Sequence, residues 1–260
     1  MSEDEILLTH ILNCKSIDLL MSTPVLTADQ QAQFQIYKSR RQVGEPLQYI
    51  IGSWDFYGLR FKVDPSVLVP RPETESLVEL AIKKFKGGRI LDLGTGSGCI
   101  AVSLAKFIPT AKVVTVDVSK EALDLAQENA RIHGAVDRIE FVRADMKDYL
   151  SNADNKDAFD LIISNPPYIP SDQINNLPKD VQQEPQLALD GGADGLDFYR
   201  VITKYTPRLL SLNGYLMMEF GDGQAEAIEA LMRVDKNFKN VEIINDLTDR
   251  KRVIYGEICY

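Results

Sequence analysis

The chain has 260 residues, of which 45% are hydrophobic and 26% are charged, a composition typical of a folded protein with one large domain or two unequal ones. Its formal net charge of −9 argues against a protein whose main surface binds nucleic-acid phosphates. The cysteines Cys14, Cys99 and Cys259 are far apart, so the sequence predicts no metal site and no disulfide framework, but reduced thiols.

Residues 1–44 predict a small bundle of three helices. The first begins after Ser2, because acidic residues that follow favour the positive end of a helix dipole. A second short helical pattern covers residues 17–20, and Thr27 with Gln30 forms a capping box for a third, polar helix. The acidic start is unlike a signal peptide, and no apolar run has membrane-spanning length, so we expect a cytoplasmic protein that binds no membrane.

Residues 45–70 predict a β-hairpin and a linker to the next domain. Aromatic and β-branched residues alternate over residues 49–63, and Tyr57-Gly58 favours a turn between two strands. Trp54 allows two interpretations, packing between the bundle and the main domain or contact with a partner. Further prolines predict an extended linker that ends at Pro72, a residue suited to the first position of a helix.

Residues 71–260 alternate predicted strands and helices. The predicted strands are 90–93, 112–116, 139–142, 159–164, 215–220, 241–244 and 253–258, and the predicted helices are 73–85, 98–107, 120–133, 197–210 and 223–234. This alternation predicts an α/β fold with a mostly parallel, doubly wound, Rossmann-like sheet of seven strands. Because no helix separates the last two strands, we expect the last strand to be antiparallel, as in the methyltransferase variant of this architecture.

The first predicted strand of this domain leads into the glycine turn Gly94-Thr95-Gly96-Ser97-Gly98. Glycines permit a tight turn and a close approach of the backbone to a ligand. The dinucleotide fingerprint needs a glycine where this chain has Cys99. The turn therefore suits a cofactor with an uncharged ribose and an amino-acid tail, such as S-adenosylmethionine, although a purely structural use of the glycines stays open.

Acidic residues follow the next two predicted strands. Asp117, about twenty residues beyond the glycine turn, can accept hydrogen bonds from both ribose hydroxyls of a cofactor. The alternative role for Asp117, capping the next helix, is assigned to Ser119. Asp145 is predicted to bind the adenine amino group and Met146 to pack on the adenine ring, with a solvated loop acid as the alternative for Asp145.

The motif Asn165-Pro166-Pro167-Tyr168 ends the strand 159–164, because neither proline can donate a hydrogen bond to a sheet. A planar amide or amine is a poor nucleophile, since its nitrogen lone pair is delocalised. The Asn165 side-chain carbonyl and the Pro166 backbone carbonyl can each accept one N–H, which orients that nitrogen for methyl transfer. Tyr168 offers a ring face for stacking, and Asn165 is also predicted to contact the cofactor. A stiff loop that only stops the strand is the alternative.

These motifs resemble those of amino-methyltransferases that act on planar nitrogen, and the chain as a whole resembles the HemK family, the PrmC-type peptide chain release factor glutamine methyltransferases. The stretches that carry this resemblance are 46–50, 69–75, 91–98 and 164–169, with Glu184-Pro185, Ala188-Leu189 and Arg252-Val253 downstream. It implies a class I methyltransferase fold, S-adenosyl-L-methionine as cofactor, and methylation of N5 of the glutamine in a release factor's Gly-Gly-Gln motif.

Residue by residue, the resemblance implies that Gly94 to Gly98 and Asp117 hold the cofactor and that Asn165 to Tyr168 hold the substrate glutamine. Glu184 is expected to shape the substrate pocket. Some family members have a tryptophan where this chain has Met146, so adenine stacking would become thioether packing. A monomer that forms no stable complex with nucleic acid is the default expectation.

Two alternative functions remain open. A DNA adenine-N6 methyltransferase would stack a flipped base on Tyr168, but it should carry a target-recognition domain and a basic cleft, which this acidic sequence lacks. A non-catalytic binding module would keep the fold without the chemistry. The combination of an intact glycine turn with an intact Asn165-to-Tyr168 motif argues against that second alternative.

Overall fold

A computed structural model describes residues 1–21, 24–152, 158–234, 236–246 and 248–259. The helices are α1 (Glu3–Leu12), α2 (Ser16–Met21), α3 (Ala28–Gln42), α4 (Leu47–Ile51), α5 (Pro72–Lys84), α6 (Cys99–Phe107), α7 (Lys120–Ile132), α8 (Met146–Asn152), α9 (Asp197–Tyr205) and α10 (Ala225–Arg233). The strands are β1 (Ser53–Phe56), β2 (Leu59–Lys62), β3 (Gly88–Leu93), β4 (Ala111–Asp117), β5 (Ile139–Arg143), β6 (Phe159–Ser164), β7 (Leu210–Glu219), β8 (Phe238–Asn245) and β9 (Lys251–Ile258).

A seven-stranded sheet in the order β5-β4-β3-β6-β7-β9-β8 forms the centre of the molecule. Strands β3 to β7 pair in parallel, whereas β9 is antiparallel to both β7 and β8. The predicted α/β architecture, with its last strand antiparallel, is therefore confirmed. The strand order reverses between β3 and β6, and ligands bind beyond the carboxyl ends of the strands at such a switch point.

Hydrophobic clusters cover both faces of this sheet. Neighbouring residues of a strand point to opposite faces, so Ile90 of β3 packs with α5, α6 and the hairpin, and Leu91 packs in the cluster with α8, α9 and α10. Phe56 and Phe61 from the hairpin are fully buried in the first cluster. The hairpin is thus part of the core of the main domain.

The segment before the hairpin differs from the prediction. Residues 49–51 belong to helix α4, so the hairpin has two four-residue strands instead of starting at Tyr49. Gly52, with φ of +75°, ends α4, and the helix buries Leu47 and Ile50 against the N-terminal helices. Trp54 packs against the cluster that contains Val67 and Val69, which supports its packing interpretation.

The N-terminal helices begin where their capping patterns predict. Reciprocal side-chain and backbone hydrogen bonds form the capping boxes of Ser2 with Glu5 and of Thr27 with Gln30. The guanidinium of Arg41 in α3 lies 2.7 Å from a carboxylate oxygen of Glu3 and 3.2 Å from one of Asp180. The bundle is therefore connected by an ion pair to the loop between β6 and α9.

Three further differences from the prediction lie in the main domain. Helix α8 was not predicted, and helix α9 ends at Tyr205, where a 3-10 turn containing Pro207 follows. Proline removes a backbone donor, which explains why the α-helix does not continue. Strand β7 begins at Leu210, before the start of the predicted strand 215–220, and its pairing with β6 is irregular near that start.

The three cysteines are free thiols. Within the part of the chain that the structure describes, no cluster of three or more His, Cys, Asp or Glu side chains could hold a metal ion. None of the described helices combines the length and the apolar character needed to cross a membrane.

Candidate active site

A cavity of about 250 Å³ opens at the carboxyl ends of β3, β4 and β6. Of the residues that the sequence singled out, its lining includes Gly94, Thr95, Gly96, Ser97, Asp117, Asp145, Met146, Asn165 and Pro167. Its other walls include Val67, Val69, Arg71, Thr74, Pro185, Leu187, Ala188 and Phe198. The structure therefore brings the glycine turn, the two aspartates and the proline motif to one site. Gly98, Pro166, Tyr168 and Glu184 lie behind this lining, as described below.

The glycine turn is built from left-handed backbone between β3 and α6. The backbone N–H of Gly94 donates to the Val116 carbonyl at 2.8 Å, which fixes the turn beside β4. At Gly96, with φ of +52°, an added Cβ would meet no atom within 4 Å, so the backbone is open towards the cavity. At Gly98, with φ of +79°, a Cβ would lie 3.0 Å from Cβ of Ala126, so close packing against α7 requires glycine there.

Asn129, which was not predicted from the sequence, lies on α7 and hydrogen-bonds to the backbone of the glycine turn. Its side-chain N–H groups donate to the carbonyls of Ser97 at 2.8 Å and Lys62 at 3.0 Å, and its carbonyl accepts from the Lys62 N–H at 2.8 Å. Asn129 is fully buried on α7, so a polar residue within that helix's apolar face was the available signal. It joins the hairpin to the glycine turn.

Asp117 lies at the end of β4 and accepts two backbone hydrogen bonds. Its carboxylate oxygens are each 2.9 Å from a backbone nitrogen, one from Gly96 and the other from Ser119. Burial raises the pKa of Asp117, and these N–H groups oppose the rise. Ser119 caps α7 by accepting from the Ala122 N–H at 3.1 Å, as predicted. A carboxylate has about four lone pairs, so Asp117 retains acceptor capacity for two hydroxyls.

Asp145 and Met146 lie at the start of α8. Asp145 is exposed, and its carboxylate accepts from the Lys147 N–H at 2.7 Å. The terminal methyl of Met146 is 3.3 Å from the position that a Cβ on Gly94 would occupy, so its thioether lies over the first glycine of the turn. Phe198 from α9 adds an aromatic wall to the same cavity.

The donor set fits an adenosyl cofactor with an amino-acid tail. Asp117 has acceptors that could bind ribose hydroxyls, Met146 and Phe198 have surface on which an aromatic base could pack, and the open backbone at Gly96 would allow close approach. Asp145 is the remaining acceptor near that base.

The proline motif, residues 165–168, follows β6, and its residues face either the cavity or the protein interior. Asn165 is half-buried, and its side-chain N–H donates to the Thr74 hydroxyl at 3.1 Å. Pro166 and Pro167 are both buried, and Pro167 also lines the cavity. The ring of Tyr168 lies against the Gly221 backbone, where an added Cβ would be 2.8 Å from the ring, and burial raises its pKa to about 12.

Gln224, a further residue that was not predicted from the sequence, precedes α10 and holds the end of the proline motif at Tyr168. Its side-chain N–H donates to the Tyr168 carbonyl at 2.9 Å and to the Gly195 carbonyl at 3.2 Å, while its own carbonyl accepts from the Gly221 N–H at 2.9 Å. One amide therefore joins both ends of the loop between β6 and α9 to the loop between β7 and α10. A glutamine in a glycine-rich loop carries no spacing signal by which sequence alone could identify it.

Glu184 does not line the cavity but positions residues that do. Its carboxylate accepts from the Arg71 guanidinium at 2.6 Å and from the Val69 N–H at 3.4 Å, and its side chain is only 2% exposed. Burial raises the pKa of Glu184, and the positive charge of Arg71 opposes that rise. The segment 69–71, which lines the cavity, is thereby fixed to the loop after β6.

Thr74, which accepts from the Asn165 side-chain N–H, and Glu219 are two further buried polar residues. Glu219 ends β7, is 1% exposed, and has one oxygen, Oε2, that accepts no hydrogen bond from the described residues. Burial raises the pKa of Glu219 to about 7, while the polar side chain of Thr74 and the positive charge of Arg252 oppose that rise. Neither residue is predicted from the sequence as part of the site, although the strand-end rule that selected Asp117 applies equally to Glu219.

Comparisons with known proteins agree with this geometry. A family model described as "Methyltransferase domain" matches residues 84–255, and one described as "PrmC N-terminal domain" matches residues 2–52. A release factor glutamine methyltransferase from Geobacter sulfurreducens is 44% identical over 229 residues, which are 87% of this chain and 78% of the relative. One from Thermodesulfovibrio yellowstonii is 36% identical over 258 residues, 97% of this chain and 90% of the relative.

Among solved structures, the fold resembles the crystal structure of a methyltransferase from Pyrococcus furiosus. The TM-score is 0.56 at 18% sequence identity, and the likeness covers 89% of this chain and 98% of that chain. At this level of identity the likeness shows the fold alone.

Proposed function

The chain belongs to the family of release factor glutamine methyltransferases, and from this premise we propose that it transfers a methyl group from S-adenosyl-L-methionine to a release factor. The acceptor is N5, the side-chain amide nitrogen of the glutamine in the Gly-Gly-Gln motif. The observation that carries the proposal is the position of Asn165. Its amide nitrogen is hydrogen-bonded to Thr74, so its carbonyl oxygen is the atom available to a substrate in the cavity.

The cofactor-binding residues are proposed to be Gly94 to Gly98, Asp117, Asp145, Met146 and Asn165. Asp117 binds the ribose, while Asp145 and Met146 contact the adenine. Gly98 contributes indirectly, because its close packing against α7 sets the shape of the turn. When bound, S-adenosylmethionine would supply an electrophilic methyl group. The substrate nitrogen would form the new N–C bond as the S–C bond breaks, and it would then lose a proton.

The substrate-binding residues are proposed to be Asn165 to Tyr168, with Glu184 acting through the segment 69–71. The Asn165 side-chain carbonyl and the Pro166 backbone carbonyl accept the two N–H groups of the glutamine and aim its lone pair at the methyl group. These acceptors stabilise the positive charge that develops on nitrogen, so they contribute most in the transition state. The buried prolines keep both carbonyls in place without rearrangement during the reaction.

The finer organisation is also a proposal. Residues 1–44 form a helical unit, residues 45–70 a hairpin and linker, and residues 71–260 the catalytic domain. The protein works as a monomer in the cytoplasm, where its substrate acts, and it forms no stable complex with nucleic acid or membrane. The acidic net charge of −9 supports the absence of nucleic acid from its partners.

The test is a transfer assay with cofactor labelled in its methyl group. We expect label to enter a release factor but neither duplex DNA nor a release factor whose motif glutamine is replaced by alanine. Label in DNA alone would instead establish the adenine methyltransferase alternative. Absence of transfer together with no cofactor binding in calorimetry would identify a non-catalytic module.

A further inference from the structure

Resting on the proposed function, we propose that Gln224 is a positioning residue for methyl transfer that acts through the loop between β6 and α9, residues 165–196. This loop contains both the proline motif and the cavity-lining residues Pro185, Leu187 and Ala188. The arrangement of these parts depends on what holds the two ends of the loop. Gln224 lies outside the loop and binds both of its ends.

The loop closes on itself directly after the proline motif. The Ile169 N–H donates to the Leu189 carbonyl at 2.9 Å, and the Ile169 carbonyl accepts from the Gly191 N–H at 2.8 Å. Ile169 and Asp190 thereby form a short parallel bridge. Because these hydrogen bonds are internal to the loop, they close it without attaching its base to another element.

Gln224 attaches the closed loop to the connection between β7 and α10. Its amide nitrogen donates to the Tyr168 carbonyl at 2.9 Å and to the Gly195 carbonyl at 3.2 Å. Its amide oxygen accepts from the Gly221 N–H at 2.9 Å. All three partners are backbone groups, whose carbonyls can only accept and whose N–H can only donate, so a single orientation of the amide satisfies them. Of side chains this long, only that of glutamine has two donors and an acceptor on one planar group.

Glycines permit the close packing around this amide. At Gly195, with φ of +75°, an added Cβ would overlap the Tyr168 carbonyl oxygen and lie 2.6 Å from Nε2 of Gln224. At Gly221, an added Cβ would lie 2.8 Å from the Tyr168 ring and 3.1 Å from Oε1 of Gln224. Tyr168 and Gln224 therefore occupy space beside the backbone that only glycine leaves open.

A shift at Tyr168 would be transmitted to the atoms that are proposed to orient the substrate. Pro166 and Pro167 have fixed φ angles, which leaves the motif few rotations by which to absorb such a shift. The Pro166 carbonyl, one of the two proposed acceptors for the substrate nitrogen, would therefore move with Tyr168. A displacement of about 1 Å at a reacting centre can lower a rate by about 100-fold. Gln224 does not line the cavity, so its effect on the rate must pass through these residues.

The kinetic test compares variants of Gln224 with release factor as substrate. Gln224→Glu keeps the shape and the acceptor for the Gly221 N–H but removes both donors, and Gln224→Met removes all three hydrogen bonds. We expect each variant to lower kcat by about 10- to 100-fold while the KM for cofactor changes little. Gln224→Met, which adds no charge, provides the same test if the new carboxylate prevents folding.

Gln182 in the same loop provides a matched control. Its side-chain nitrogen also donates to two backbone carbonyls, of Asn175 at 3.1 Å and of Leu177 at 2.7 Å, but Gln182 is exposed and does not bind the proline motif. We expect Gln182→Glu to keep the wild-type kcat. Equal kcat values in the Gln182 and Gln224 variants would overturn the positioning role. A loss of cofactor affinity as large as the loss of kcat in the Gln224 variants would also overturn it, because the substitution would then disturb the whole site.

Hydrogen exchange of backbone amides keeps the test independent of turnover. In the Gln224 variants we expect the Ile169 and Gly191 amides, which close the loop, to exchange about 10-fold faster than in wild type. The Gly94 amide in the glycine turn should exchange at its wild-type rate. Unchanged exchange at Ile169 and Gly191 would overturn the inference. If wild type methylates no release factor but exchange responds as expected, the proposed function fails and the inference that Gln224 positions the loop holds.

Discussion

At the scale of single residues, the two polar atoms of the Asn165 amide have different partners. Its nitrogen belongs to a buried polar group with Thr74, and its oxygen is left for a ligand in the cavity. Asp117 has the same dual character, because backbone N–H groups occupy part of its acceptor capacity and fix its orientation. In both residues, hydrogen bonds within the protein position an acceptor before any ligand arrives, which is the arrangement that electrostatic catalysis requires.

A first prediction concerns this acceptor. Asn165→Ala removes the side-chain carbonyl that we propose orients the substrate nitrogen, so we expect kcat to fall by about 100- to 1,000-fold. Cofactor affinity in calorimetry should change far less, because Asp117 and the glycine turn remain. The matched control is Asn245→Ala, an exposed asparagine on β8 bonded to Asp249, which should leave kcat unchanged. A kcat equal to that of the control would remove Asn165 from the mechanism.

A second prediction concerns the pH dependence of stability. Burial raises the pKa of Glu219 from 4.5 to about 7, so the native protein holds this proton more tightly than the unfolded chain does. The resulting stabilisation is complete below pH 4.5 and is lost as the pH rises through about 7. Because one pKa unit corresponds to about 1.4 kcal/mol, the loss is about 3 kcal/mol.

Glu219→Gln, which cannot ionise, should escape this loss. In urea unfolding, we expect the stability of the variant relative to wild type to increase by about 3 kcal/mol between pH 4.5 and pH 8. The exposed Glu140→Gln on β5 should differ from wild type by less than about 0.5 kcal/mol at both pH values. A difference between Glu219→Gln and wild type that does not vary with pH would show that Glu219 ionises normally.

At the scale of elements, the glycine turn depends on the packing of α6 against α7. The third prediction is that Gly98→Ala destabilises the protein by about 2 kcal/mol or more, from a left-handed φ and a Cβ only 3.0 Å from that of Ala126. Gly134→Ala is the matched control, since its φ of +66° imposes similar strain while its Cβ would meet no atom within 4 Å. It should cost about 1 kcal/mol.

The two glycine variants also separate stability from function. Gly98→Ala should weaken cofactor binding, because the turn must shift to accommodate the methyl group, whereas Gly134→Ala should bind cofactor as wild type does. Urea unfolding and calorimetry measure the two effects. Equal losses of stability in the two variants would mean that the contact with Ala126 relaxes without cost.

The helices and strands that were predicted correctly are those fixed by interactions between residues close in sequence. Local signals located α1 by Ser2 and the acidic residues that follow it, α3 by its capping box, α5 by Pro72 and β6 by its two following prolines. Helix α4 has only five residues, and its pattern is equally compatible with a strand, so its tertiary contacts with Leu7 decide its structure. Asp145 and Met146 were placed after a strand, but nothing in the sequence indicated that α8 begins there.

The difference between local and long-range interactions also explains which site residues were predicted from the sequence. Gly94 to Gly98, Asp117 and Asn165 belong to short motifs whose chemistry depends on neighbouring positions. Thr74, Asn129 and Gln224 bind residues distant in sequence, across separations such as 91 residues for Thr74 and Asn165. No spacing rule predicts such pairs, because only the folded sheet brings them together.

At the scale of the whole molecule, the Arg71–Glu184 ion pair fixes one wall of the cavity. The segment 69–71 leads from the hairpin into the catalytic domain, and Glu184 belongs to the loop between β6 and α9. The same loop contains Asp180, which pairs with Arg41 of the N-terminal bundle at 3.2 Å. The bundle, the linker and the active-site loop are therefore joined through two ion pairs that lie four residues apart.

The last prediction tests whether this connection sets the shape of the cavity. Glu184→Gln keeps an acceptor for the Val69 N–H but removes the charge that faces Arg71 at 2.6 Å. Since the Glu184 side chain is 2% exposed and that of Arg71 29%, we expect a loss of about 2 kcal/mol in urea unfolding, less than for a fully buried pair. Cofactor affinity should also fall, because the segment 69–71 lines the cavity.

The control Asp55→Asn breaks the exposed pair with Arg60 and should cost less than about 0.5 kcal/mol. If Glu184→Gln matches that control in both stability and cofactor affinity, the ion pair with Arg71 does not shape the site.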